Sequence, residues 1–324
     1  MSTAENAKLQ YEAGQNAVAM SALTNSGDET IYTSAATLWS GRSGYAPVVR
    51  PNGLLTGGTV SVHATNDTVT VAALTCNLAG VVTSVSAGTA VITRPAGAFA
   101  KVNSITINSS GAIAVVAGAD SASTAFSETR AANGGPPLIP VGSIEIAQVR
   151  VITQAAGTVA ASEIYQVVGL HTERADFPLW DVNYDAGGIT FLDVLPSIHT
   201  GVIPKAVYAS YASPIFADVA LASDFVPPET SHSVTSTQVY GTTLGSTSST
   251  LGQGTFTAYL SDGVADALVT LKNATLWFKF YPDRYASAYL LAQGKMGISR
   301  TFPAGDNIQA ACTISASSAA TEVA

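Results

Sequence analysis

The chain has 324 residues, 47% of them hydrophobic but only 8% aromatic and 11% charged, and it carries a formal net charge of −8. That acidic balance excludes the ordinary basic nucleic-acid binder, whose phosphate contacts need clustered Lys and Arg. No apolar run reaches the roughly 18 to 20 residues of a membrane-spanning helix, and the opening MSTAENAKLQYE lacks a basic stretch followed by an apolar one, so the expectation is a soluble protein made in a cytoplasm, with no membrane insertion.

Residues 1–56 read as an N-terminal arm and connecting segment. The first twenty or so carry Leu9, Ala13 and Met20 and suit either a weak helix or an extended arm, because their helix propensity is modest. From Gly57 the pattern is β. TVSVHA alternates Val60, Val62 and Ala64 with Thr59, Ser61 and His63, and TVTV resumes the alternation after Asn66 and Asp67, which predicts a hairpin. Further strands are expected over 89–93, 103–108, 112–116 and 143–152. In the last, the apolar phase moves from Ile144 and Ile146 to Val149 and Val151, as a β-bulge requires. AANGGPPLIP (131–140) is a loop or sheet edge. Short strands punctuated by Gly, Asn and Ser make 57–170 an additional β domain, with an antiparallel sandwich or barrel favoured over alternating β and α units.

Near Gly169 a nearly neutral segment gives way to the acidic HTERADFPLWDVNYDAGG, which places a domain boundary there. Residues 1–170 have net charge −2 and residues 171–324 net charge −6. Glu173, Asp176, Asp181, Asp185 and Asp193 form the candidate acidic surface. Beyond it, GTTLGSTSSTLGQG (241–254) is too rich in Gly, Ser and Thr to form a core. It is expected to be a long flexible loop, or else a hairpin tip that orders only against a neighbouring subunit. Its candidate contact residues are Gly241, Leu244, Gly245, Leu251, Gly252 and Gly254.

The chain closes with three β-pattern segments, LWFKFY (276–281), AYLLAQGKMGI (288–298) and NIQAACTISA (307–316). Strand geometry places Leu276, Phe278 and Phe280 on one face, read as core, and Trp277, Lys279 and Tyr281 on the other. The second face is either a subunit contact, with Trp277, Tyr281 and Arg284 as candidate interface residues, or an exposed face on which Lys279 snorkels. Cys312 alternates with Ile308, Ala310 and Ile314 and reads as a packed core thiol. Cys76 is read the same way, and the two are too far apart in sequence to argue a disulfide framework.

The search for chemistry is negative. His63, His171, His199 and His232 make no HExxH pair, Ser43 in SGRSGY lacks the second glycine of a nucleophile elbow, and Lys295 lacks the P-loop spacing. No carboxylate pair stands out for glycoside hydrolysis. No catalytic residue, metal or cofactor is assigned, and the chain is not expected to be an enzyme.

Residues 171–324 resemble the major tail (tube) protein of long-tailed, siphovirus-like bacteriophages. The resemblance lies in ERADFPLWDVNYDAGG, ASDFVPPETSHSVTST and FKFYPDRYASAYLLAQGKMGISRTFPAGDNIQAACTISASSAATEVA, as an overall pattern without a short diagnostic motif. It implies a β-sandwich subunit that forms hexameric rings, stacked into the conduit through which double-stranded DNA passes without specific binding. The implied location is the virion, after synthesis in the bacterial host. The implied partners are other copies of the chain and the tail-end, tape-measure and head-proximal virion proteins, and the five carboxylates become candidate lumen residues that would repel DNA phosphates. The alternative is a virion decoration protein or β-rich adhesin that binds a host-surface glycan.

Overall fold

The computed structural model describes residues 4–167, 180–195, 197–201 and 205–324. The chain is mainly β and its strands pair in antiparallel sheets; among the described residues the one α-helix is a single turn, Ala267–Thr270. Two compact units result. The first comprises Met1–Val18, Leu38–Ala46 and Tyr211–Ala324, the second Ala19–Thr37 and Pro47–Ser210.

This partition departs from the expected segments 1–56, 57–170 and 171–324. The N-terminal residues are divided between the units, and the second unit continues to Ser210, past a boundary position that lies outside the described residues. Pairing between sequence-distant strands is the cause. Lys8–Ala22 is a strand of fifteen residues that pairs with Thr275–Tyr281, Leu9 opposite Phe280 and Tyr11 opposite Phe278. The extended reading of the N-terminus therefore holds: a modest helix propensity yields to cross-strand pairing of apolar side chains.

The sheet that holds the strands of the first unit runs in the order Ala222–Val226, Gly254–Leu260, Ile308–Ala316, Tyr289–Thr301, Thr275–Tyr281, Lys8–Ala22, Val207–Asp218 and Val48–Pro51, with the short Thr321–Val323 beside Tyr289–Thr301. One face is the core. Leu9, Phe256, Leu276, Phe278, Met296 and Ile314 are buried together there, and Cys312 joins them as the alternation predicted.

The second unit is built from small sheets around a Val- and Ile-rich core that includes Val69, Val71, Ile105, Ile107, Ile146 and Cys76. The predicted hairpin is present, Val60–Val62 pairing with Thr68–Val71. Ile144–Val151 pairs with Lys101–Ile107 and skips a residue, Ile105 lying opposite Ala147 and Thr106 opposite Glu145, so Ile146 is the bulged position. The bulge lets Ile144, Ile146, Val149 and Val151 all be buried despite their change of phase. It also buries Glu145. That carboxylate accepts hydrogen bonds from both terminal nitrogens of Arg130, from the Ser104 hydroxyl and from Gln148 Nε2 at 3.3 Å.

Candidate functional site

Behind its core, the sheet of the first unit carries a second face, and here the strand Thr275–Tyr281 corrects the sequence reading. Trp277 does share that face with Lys279 and Tyr281, but it is only 4% exposed and therefore no surface anchor. The segment Leu38–Ala46 covers it. The Trp277 indole Nε1 donates to the Trp39 carbonyl at 2.8 Å, Trp39 stacks on Tyr211 with ring centroids 4.7 Å apart, and the Ser40 amide donates to the Ala212 carbonyl at 2.8 Å. Glu12, fully buried, is the polar centre of this cover. Its carboxylate accepts from the Trp277 amide at 3.1 Å, from Gln15 Nε2 at 3.0 Å and from the Ser40 hydroxyl. Gly41 lies close to the sheet, and a Cβ there would stand 2.4 Å from Gln293 Nε2, so that side chain would have to shift.

Towards Tyr281 the same face is half-exposed and aromatic. Tyr281 packs on Tyr289 at 5.1 Å, Lys8 lies 5.6 Å from the Tyr281 ring centre, and Lys279 sits between Phe216 at 4.3 Å and Tyr289 at 4.8 Å. Among the described residues Lys279 has no carboxylate within ion-pair distance, and burial lowers its pKa from the usual lysine value of 10.5. The folded chain thus holds this proton less tightly than the unfolded one. Its cost is complete at neutral pH and is relieved as pH rises through the lowered pKa towards 10.5. Lys279→Met, which keeps the aromatic packing, is expected to raise the denaturation midpoint at pH 7, and urea titrations between pH 7 and 10.5 should show that advantage shrinking with pH. A lower midpoint at pH 7 would show that the cation–π contacts outweigh desolvation.

Arg284, the third expected interface residue, is exposed but tied to the N-terminal segment, its Nη2 donating to the Ala7 carbonyl at 3.1 Å and its amide to the Asn6 carbonyl at 2.7 Å. It lines a cavity of about 830 Å³ with Lys8, Leu9, Asp218, Phe225 and Phe280. Phe225 and Phe280 are stacked there at 4.6 Å, and Lys8 pairs with Asp218 at 3.4 Å on the rim.

The segment 241–254 is not a flexible loop. Thr242–Leu251 is the return strand of a two-stranded ribbon with Thr230–Val239, paired in register from Thr230 opposite Leu251 to Val239 opposite Thr242. The ladder continues one step beyond, Gly252 N–H donating to the Glu229 carbonyl at 2.9 Å. Leu244 and Gly245 lie on the ribbon and Leu251 closes it, whereas Gly254 begins the buried sheet strand Gly254–Leu260. At the tip Gly241 adopts φ +86°, a conformation that favours glycine. All ten residues of Thr230–Val239 are exposed, Val234 by 72%, and across the tip Tyr240 is fully exposed and Leu244 59% exposed. Thr and Ser side chains satisfy strand geometry without supplying a core, which is why composition left both a loop and a hairpin tip open for 241–254.

No protein-family model matches this chain, and no curated protein is found related to it. Of the five candidate acidic residues, Glu173 and Asp176 lie outside the described residues; Asp181, Asp185 and Asp193 are exposed and belong to the second unit. The residues that sequence reasoning passed over are Glu12, Trp39, Ser40 and Phe225, while Phe280, read as core, lines the cavity beside Phe225. Trp39 carried a faint signal as one of three tryptophans; Glu12 carried none, since alternation with Leu9, Tyr11 and Ala13 reads as solvent-facing.

Proposed function

We propose that this chain is a structural subunit that polymerises, and that its assembly is the stacked-ring tail tube of a long-tailed bacteriophage, a conduit for DNA in the virion. The observation that carries the reading is the ribbon Thr230–Val239 and Thr242–Leu251. A two-stranded ribbon is marginal by itself in water, and this one presents Val234, Tyr240 and Leu244 to solvent. Such an arm is stabilised by a neighbour, and a contact made by an arm on one side of a subunit to a different surface of the next is heterologous, the kind that closes rings or extends filaments. The pattern resemblance of 171–324 to tail tube proteins supports the same reading. So does the acidic balance, which suits a surface that DNA passes without sticking.

Negative-stain electron microscopy of the purified chain over a concentration series, with sizing alongside, tests this. Uniform rings or hollow tubes support it; a persistent monomer at every concentration shifts the reading to a decoration protein or glycan-binding adhesin. A variant in which a two-residue Asn-Gly turn joins Glu229 to Gly252 sharpens the test. Because the ribbon buries almost nothing, its unfolding midpoint is expected within about 3 °C of the parent, yet it should form no tubes. Normal tubes from this variant would remove the arm from the assembly contact.

A further inference from the structure

We infer that the cavity floored by Phe225 and Phe280 is the receptor for the arm tip, Tyr240–Gly241, of a second copy of this chain. The inference rests on the assembly reading above and names the surface that meets the arm. Both halves belong to the first unit, so every copy presents one arm and one receptor. The tip has no occupant of its own: Tyr240 is fully exposed and a Cβ built on Gly241 would meet nothing within 4 Å.

The chemistry of the two surfaces matches. From Ser233 to Leu251 the ribbon holds no charged residue, so it brings no ion that must be desolvated. In the cavity Lys8 pairs with Asp218 and Arg284 donates to the Ala7 carbonyl, Glu5 and Asp224 add carboxylates to the lining, and Phe225 and Phe280 with Leu9 beside them give it an aromatic, apolar part. A neutral ring with one polar tip suits such a site. Tyrosine can stack on Phe225 or Phe280 and set its hydroxyl among the rim carboxylates and Arg284, a combination that enriches tyrosine at interfaces. At about 830 Å³ the cavity is on the scale of sites that take a small ligand, roughly 300 to 1,000 Å³, and so has room for a ribbon turn with its tyrosine. It also lies against Ala222–Val226, the end strand of the sheet, to whose outer edge no further strand pairs among the described residues.

Cysteine cross-linking of the full chain tests the pairing, because both native cysteines are buried, Cys76 at 0% and Cys312 at 1% exposure, and give little background. Tyr240→Cys and Ala222→Cys are placed in separate copies, mixed under conditions where the chain assembles, and oxidised. The expected result is a disulfide-linked dimer of the two variants, and a ladder of higher species when both substitutions are in one chain. A second measurement uses Leu221→Arg on the cavity wall, where the native side chain is 63% exposed. That variant and Tyr240→Ser should both remain folded and form no tubes. If assembled rings or tubes form but Tyr240→Cys links only to itself, or links to nothing, the receptor assignment is overturned while the assembly reading stands. If the parent chain never assembles, both fall.

Discussion

Arg130→Ala is expected to destabilise the second unit by about 3 to 5 kcal/mol, the usual consequence of removing one member of a buried ion pair. Glu145 is 0% exposed, on a strand whose bulge turns it inward with its apolar neighbours. Arg130 meets it with two nitrogens, and its Nη1 also donates to the Pro137 carbonyl at 2.8 Å, so the same side chain holds the glycine- and proline-rich stretch around 131–140 against the sheet. Without the guanidinium, the carboxylate keeps only the neutral donors of Ser104 and Gln148, which do not balance a buried charge. The double variant Arg130→Met with Glu145→Leu removes the charge together with its partner, and most of the loss should return. Urea denaturation gives the energies. Hydrogen exchange over Lys101–Ile107 and Ile144–Val151 would locate the loss in this unit. A cost below about 1 kcal/mol for Arg130→Ala would mean that water reaches Glu145 and that the pair is an ordinary surface one.

The parts of the fold that were legible in the sequence are those governed by local period. Ala310, Cys312 and Ile314 share a buried face because a strand alternates, and the bulge in Ile144–Val151 was visible because four apolar residues out of phase cannot otherwise share one core. Legibility ends where a second segment decides. Alternation puts Trp277 on the face of Lys279 and Tyr281, but whether that face meets water depends on Leu38–Ala46, more than 200 residues away in sequence. The ribbon was legible only as one of two alternatives, a flexible loop or a hairpin tip. Thr230–Val239 and Thr242–Leu251 are polar on both faces, so no apolar alternation marks them, and what defines the strands is a main-chain ladder. The division into units was hidden for the first reason again. Val207–Asp218 begins opposite Val48–Pro51 in the second unit and ends in the first, and no change of composition marks that passage.

Trp277→Ala is therefore expected to act on the stability of the first unit and not on a subunit contact, at a cost of about 3 to 5 kcal/mol for a large buried aromatic. The substitution empties the space beneath Trp39 and leaves the Trp39 carbonyl without the indole donor. Loosening that cover also exposes Glu12, whose three acceptor contacts come from the cover, the sheet and its own strand. Trp277→Phe should cost less, because it fills much of the volume and forfeits mainly one hydrogen bond, about 0.5 to 1.5 kcal/mol net. Glu12→Ala should fall between them, since it strands the Trp277 amide and the Ser40 hydroxyl together. Denaturation of the three variants gives the order. Assembly assayed well below each midpoint then separates stability from contact: a fully folded Trp277→Ala subunit should enter the proposed assembly to the same extent as the parent, because the side chain is covered within its own unit. A folded Trp277→Ala subunit that cannot assemble would mean that Leu38–Ala46 lifts away on assembly and hands Trp277 to the neighbouring copy.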